Sequence, residues 1–288
     1  MALLQQEVTS PTAAHVKEVS KVILRAQRYR EGVGLYYRLV SFPLRVIVLG
    51  DAGSNTKYSN YYREGCIVGV GHDPYSKDRA TIEIKHTTSD LAVLQDGFHA
   101  LGSFGRKAKI ISWSTSQGEA LAAVGSQELG QLIASRLTEV LIARPVSLYV
   151  MTEMWSSGDH FIPVDHVTDC NDFFETVTGE KLLPQDRGRL YIAAFREMRI
   201  SCNIRVFILA PTNSMLADAL TKAMTSPQLM KLLSCGLLEW HNNAKHSITV
   251  RNLFRKKGEC TDRNQLNIKD FEKVDGAGHQ KRPAHPLT

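Results

Sequence analysis

No run of apolar residues in this 288-residue sequence approaches the roughly 20 that a membrane-spanning helix needs, and the opening MALLQQEVTS lacks a basic start followed by an apolar core. A membrane partner is therefore not expected, and the chain reads as intracellular. Cysteine is scarce and scattered: Cys66, Cys170, Cys202, Cys235 and Cys260 stand singly, odd in number and without a C-x-x-C pair. Neither a zinc site nor a disulfide framework follows, and reduced thiols are expected. The body of the chain also lacks an excess of either charge. Residues 245–288 hold ten Lys/Arg and five Asp/Glu, so +5 of the net +6 belongs to the tail. There is no internal repeat and no Y-x-D-D polymerase motif.

What is present is ordinary globular composition, 43% apolar and 22% charged, in a chain long enough for one or two domains. Residues 16–31 space Val16, Val19, Ile23 and Ala26 as one helix face, with Lys17, Lys21, Arg25 and Arg28 turned elsewhere. Leu44 to Leu49 is largely β-branched and runs into Gly50-Asp51-Ala52-Gly53, a buried strand delivering an aspartate to its end. Cys66 to Val70 is a second strand. Residues 72–107 show no sustained period and read as a long connection containing at most a hairpin.

Lys109 to Ser114 predicts a third strand, and Gly118 to Ala143 a long helix. Phe161 to Thr168 is a fourth strand, with Asp169 at the start of a short helix over Asn171–Val177. Gln185 to Arg199 is helical, Asn203 to Ala210 is the fifth strand, and Pro211 turns the chain into a helix over Ser214–Met224. A last helix follows from Pro227 to Leu233. Residues 241–288 carry too few large apolar side chains to offset their ordering entropy and are expected to be disordered. The pattern is that of a layered α/β domain over residues 44–240, preceded by a basic helix and connection over 1–43.

Four acids occupy privileged places in this pattern: Asp51 at the end of the first strand, Glu128 in the long helix, Asp169 after the fourth strand and Asp218 in the helix after the fifth. Ligands of α/β sheets gather outside strand ends where the chain order switches. Converging carboxylates repel unless a divalent cation neutralises them, and magnesium, a hard ion, takes carboxylate, water and phosphate oxygens. Two such ions about 4 Å apart can activate water and stabilise a leaving oxygen in phosphoryl chemistry. Each acid also has an ordinary reading: Asp169 as a helix cap, Asp51 as a turn residue, Glu128 and Asp218 as solvated helix charges.

Several segments resemble, in order, the ribonuclease H domain at the C-terminal end of copia-type retrotransposon polyproteins. Arg28-Tyr29-Arg30-Glu31-Gly32-Val33-Gly34-Leu35-Tyr36 resembles the R-Y-L-K-G-T-x-G-L-x-Y segment leading into that domain, and Gly50-Asp51-Ala52 its Y-x-D-A strand end. Ile111-Ser112-Trp113-Ser114 resembles V-S-W-x-S, and Glu128-Leu129 with Leu132 the S-S-T-E-A-E-Y-x-A-L helix, once one residue is deleted after Trp113. Asp169 resembles the aspartate of C-D-N-Q-S-A. The most specific piece is Pro211-Thr212 with Leu216-Ala217-Asp218 and Thr221-Lys222-Ala223, close to P-T-x-x-x-L-A-D-x-x-T-K-A.

That resemblance implies a ribonuclease H-like fold: a five-stranded mixed sheet, ordered 3-2-1-4-5 and flanked by helices, with an insertion at about 72–107. It implies hydrolysis of the RNA strand of an RNA/DNA hybrid by two Mg2+ ions, Mn2+ substituting, held by Asp51, Glu128, Asp169 and Asp218. Ser126, Gln127 and Asn171 flank two of these acids and are the candidates for contacts to substrate 2′-hydroxyls. A reverse transcriptase domain on another chain would be the natural protein partner. The sequence also departs from the pattern. Asp186-Arg187-Gly188-Arg189 stands where the family has K-H-I-D, and Thr212 to Leu216 offers no histidine before the last acid. A catalytically inert remnant of the domain, serving nucleic-acid binding or another interaction, is therefore the alternative expectation.

Overall fold

The computed structural model describes residues 13–29, 36–54, 61–73, 86–88, 96–108, 114–157, 160–179, 188–222, 226–238 and 245–248. In chain order the elements are α1 (Ala13–Tyr29), β1 (Leu44–Ser54), β2 (Tyr62–His72), β3 (His86–Thr88), β4 (Asp96–Lys107), α2 (Thr115–Ile142), α3 (Leu148–Ser157), β5 (Val164–Thr168), α4 (Asn171–Thr178), α5 (Arg189–Ile200), β6 (Val206–Leu209), α6 (Asp218–Thr221), α7 (Pro227–Cys235), β7 (Leu237–Leu238) and β8 (Lys245–Ile248). The strands form one mixed sheet in the order β3-β8-β6-β5-β1-β2-β4-β7. Six of them have four residues or more. Among the described residues no helix is long and apolar enough to cross a membrane.

The long strands β1, β2 and β4 make an antiparallel meander, while β5 and β6 add in parallel on the other side of β1. Alternation along β1 then sends successive side chains to opposite faces. Ile47 and Leu49 join Ile67, Val167, Ile208, Met215 and Leu216 on one face, whereas Val46 and Val48 join Cys66, Val68, Val164 and Ala134 on the other. Each buried aliphatic side chain contributes about 1.5–3 kcal/mol by leaving water. The second face is covered by α2, whose inward side is built from Gly118, Ala120, Ala122, Ala123, Ser126, Gly130 and Ala134. A Cβ on Gly130 would lie 2.3 Å from Val48 Cγ2, so glycine is what lets the helix lie this close to the sheet.

Several expectations from sequence are corrected. The third strand of the meander is β4 at Asp96–Lys107, inside the stretch read as a connection, and not Lys109–Ser114, of which 109–113 lie outside the described residues. Its glycines and polar residues hide the strand: Gly97, Gly102 and Gly105 break the alternation that would reveal it. Short flanking strands also extend the five expected. Among them β8, at the start of the segment read as a disordered tail, pairs antiparallel with β6. The remainder of that segment, 249–288, lies outside the described residues. The helix read at 214–224 is a 3-10 turn over Thr212–Ser214 followed by the single turn of α6, and α3 was not anticipated. With β4 in the third place, the five central strands run 3-2-1-4-5 within a larger sheet than the five-stranded one expected.

At the start of β1 and β5 a buried ion network ties the sheet together. Asp165 accepts from Arg45 Nη1 at 2.8 Å and from Arg205 Nε and Nη2 at 3.0 and 2.8 Å, while Arg205 Nη1 reaches Asp73 at 2.7 Å. Burial works against the Arg205 charge, but the two aspartates outweigh it and hold the guanidinium above its ordinary range. Removing one member of such a network strands the others without water. Asp165→Ala is expected to cost about 3–5 kcal/mol in urea unfolding, whereas Arg136→Ala, which breaks a surface pair with Glu139, should leave the unfolding midpoint nearly unchanged.

Candidate metal centre

At the other end of β1 the chain gathers acids. The β1–β5 register pairs Ile47 with Asp165 and Leu49 with Val167, so continuing it brings Asp51 level with Asp169 just past the end of β5. Helix α2 supplies the third carboxylate. Ser114 caps it by accepting from Gln117 N at 3.2 Å, and Glu119 follows in the first turns. Ligand oxygens of Asp51, Glu119 and Asp169 lie within 4.8 Å of one another. This triad could hold a metal ion.

Two further groups complete the cluster. The single turn of α6 presses Thr221 and Ala217 against β2, where a Cβ on Gly65 would meet Thr221 Cγ2 at 2.6 Å and Ala217 O at 2.9 Å. From this position the Thr221 hydroxyl donates to Asp51 Oδ2. Lys222 Nζ donates to Asp218 Oδ1 at 2.5 Å and stands 4.0 Å from Asp51 Oδ1. Asp218 is buried and acts on the triad electrostatically, raising the pKa of both Asp51 and Asp169.

Electrostatics bear the mark of this crowding. Burial first, then Asp218 and Asp169, push Asp51 up to about 7 against the opposing Thr221 hydrogen bond and Lys222 charge. Burial and the charges of Asp51 and Asp169 hold Glu119 well above the usual carboxylate range, although Ala52 N–H donates to it. Asp169 is raised by burial and Asp218, with Thr212 donating in opposition. Carboxylates in this condition gain by meeting a cation, and an all-oxygen donor set suits a hard divalent ion.

The sequence-derived site residues separate cleanly. Asp51 and Asp169 are in the triad, with Asp218 beside it. Glu128 is exposed on α2, nine residues beyond Glu119, about 13 Å along the helix axis at 1.5 Å per residue. The structure does not bring it to the cluster; Glu119 is the helix carboxylate that stands there. The missed signal was positional: in a helix capped by Ser114, the end nearest the strand termini holds Glu119.

Ser126 and Gln127 are also corrected, since both are fully buried and cannot touch a substrate. Ser126 donates to Ala122 O at 2.6 Å, while Gln127 donates to Asn203 O at 2.9 Å and its carbonyl lies 3.1 Å from His166 Nδ1. Asn171 is exposed at the start of α4, bonded to Glu175 at 3.0 Å.

No protein-family model matches the chain, and neither a curated protein nor a solved structure matches it significantly.

Raised carboxylates make metal-free stability depend on pH. The folded chain keeps the Asp51 proton up to about pH 7, the unfolded chain only to 3.8, so this group withdraws stability as pH rises between those values. His166, whose pKa burial lowers to about 3, adds stability as pH rises from 3 to 6.5. Comparing wild type with Asp51→Asn isolates the carboxylate. In EDTA the variant is expected to melt higher than wild type at pH 8 and to lose that advantage at pH 4, each 1 kcal/mol being about 2–4 °C. Adding 10 mM Mg2+ should raise the wild-type midpoint by about 1.4 kcal/mol equivalent for a millimolar site, and Glu119→Gln should abolish the rise while Glu128→Gln preserves it.

Proposed function

We propose that this chain is a metal-dependent endonuclease of ribonuclease H-like fold that hydrolyses the RNA strand of RNA/DNA hybrids, derived from the polyprotein of a copia-type retrotransposon. The observation that carries the reading is the convergence of Asp51, Glu119 and Asp169 from a strand end, a helix start and a second strand end of a 3-2-1-4-5 core. The likeness of Leu216-Ala217-Asp218 and Thr221-Lys222 to the family's most specific motif supports it, because that segment lies against the same carboxylates.

Two Mg2+ ions, or Mn2+ in their place, would supply an activated water and stabilise the leaving 3′ oxygen, giving 5′-phosphate products. The chain's own part is positional. The sheet register sets Asp51 beside Asp169, and α2 holds Glu119 at low exposure, where Ala52 N–H fixes its direction. Thr221 fixes the Asp51 carboxylate by donating to one oxygen. Asn171 is the remaining candidate for a 2′-hydroxyl contact. At the same end of the sheet, Lys107 lies 4.1 Å over the Tyr61 ring, available to backbone phosphates.

The test is cleavage of an end-labelled RNA/DNA hybrid in magnesium by wild type, Glu119→Gln and Glu128→Gln. RNA cleavage by wild type is expected, lost by more than the about 10–100-fold typical of a supporting residue in Glu119→Gln and unaffected in Glu128→Gln. Binding of the hybrid without cleavage would favour the inert remnant instead.

A further inference from the structure

Lys222 is the one cation paired with the acidic cluster among the described residues. Its ammonium donates to Asp218 Oδ1 at 2.5 Å and lies 4.0 Å from Asp51 Oδ1, so it faces two of the carboxylates at once. Those partners are buried, at 7% and 1% exposure of their side chains, whereas the Lys222 side chain is 40% exposed. One end of the pairing is fixed in the fold and the other borders water. A four-carbon stem with three rotatable donors can leave such a position without disturbing the backbone.

We infer that Lys222 is a built-in counter-cation of the carboxylate centre, which neutralises Asp218 and Asp51 when no metal is bound and is displaced towards solvent when a divalent cation binds. The inference rests on the metal-site reading above and adds a competition to it. A divalent ion on the triad would stand within a few ångströms of the ammonium and carry charge of the same sign. The ion also claims carboxylate oxygens that now face the lysine. The two cations therefore exclude one another, and the lysine sets a threshold concentration for the metal.

Among the described residues Lys222 is the charged group that offsets Asp218 and Asp51 when no metal is bound. The helical turn of α6 places Lys222 four residues after Asp218, a spacing at which side chains meet.

The test is Mn2+ binding to the full chain, followed through the electron paramagnetic resonance signal of free Mn2+, for wild type, Lys222→Met and Asp51→Asn. If the lysine occupies the site about 90% of the time, removing it lowers the apparent dissociation constant about tenfold, and this is the expected result for Lys222→Met, with Asp51→Asn weakened. Equal affinity in wild type and Lys222→Met overturns the inference and leaves the metal site standing. Weaker binding in Lys222→Met also overturns it, making Lys222 a positioning residue for the ligands. Absence of binding in both wild type and Lys222→Met overturns the metal-site reading itself.

A second measurement uses wild type alone and does not depend on the variant folding. The rate at which an amine-reactive reagent modifies Lys222, read by peptide mass spectrometry, should rise severalfold when Mn2+ is added. An unchanged rate under saturating Mn2+ contradicts displacement.

Discussion

The carboxylates of Asp51 and Glu119, both buried, and of Asp169, half-buried, lie within 4.8 Å of one another and repel, and much of this fold is arranged around that repulsion. Gathering them requires a framework stiff enough not to relax outward. The long β1 strand, paired along its whole length with β2 and partly with β5, provides it, and α2 lies against β1 closely enough to deliver Glu119 from the opposite face. Partial relief comes from groups that donate to the acids: Ala52 N–H to Glu119, Thr221 to Asp51, Thr212 to Asp169 and Lys222 to Asp218. None of these removes the excess charge. Burial first and neighbouring charge second raise the pKa values of the three acids, and a divalent cation would offset both.

The two ends of β1 are complementary in this respect. Arg45 at one end closes a buried network with Asp165, Arg205 and Asp73, in which every charge has a partner. Asp51, six residues on and about 20 Å away along the strand, belongs to a cluster with, among the described residues, one paired cation for four acids. Strand β5 repeats the contrast, with Asp165 at its start and Asp169 past its end. One end locks the sheet. The other is left with unbalanced charge, which is the usual condition of a site rather than of a scaffold.

Much of this was legible from the amino-acid sequence, for identifiable reasons. The strands carrying Asp51 and Asp169 have β-branched, apolar centres bounded by turn residues, so their ends and the acids there could be located, whereas the order of the central strands came only from the family resemblance. The strand Asp96–Lys107 could not be located, because glycine and polar residues along it erase the period of two and its partners are remote in sequence. Glu128 drew attention through a motif register that required a deletion. A long helix offers the same face every few residues, so sequence periodicity alone does not say which turn lies at the strand ends. Ser126 and Gln127 failed similarly, their polarity being spent on buried hydrogen bonds inside the helix layer and not on a ligand. The pairing of Lys222 with Asp218 follows from helical spacing, but its approach to Asp51 needs the tertiary fold.

The central claim is that three carboxylates, distant in sequence, form one metal centre. The most direct measurement is a crystal structure of the full chain grown with Mn2+ and read by anomalous scattering. The account expects an anomalous peak coordinated by Asp51, Glu119 and Asp169, with Glu128 in solvent. A peak elsewhere, or ordered carboxylates without any peak at millimolar Mn2+, would contradict it.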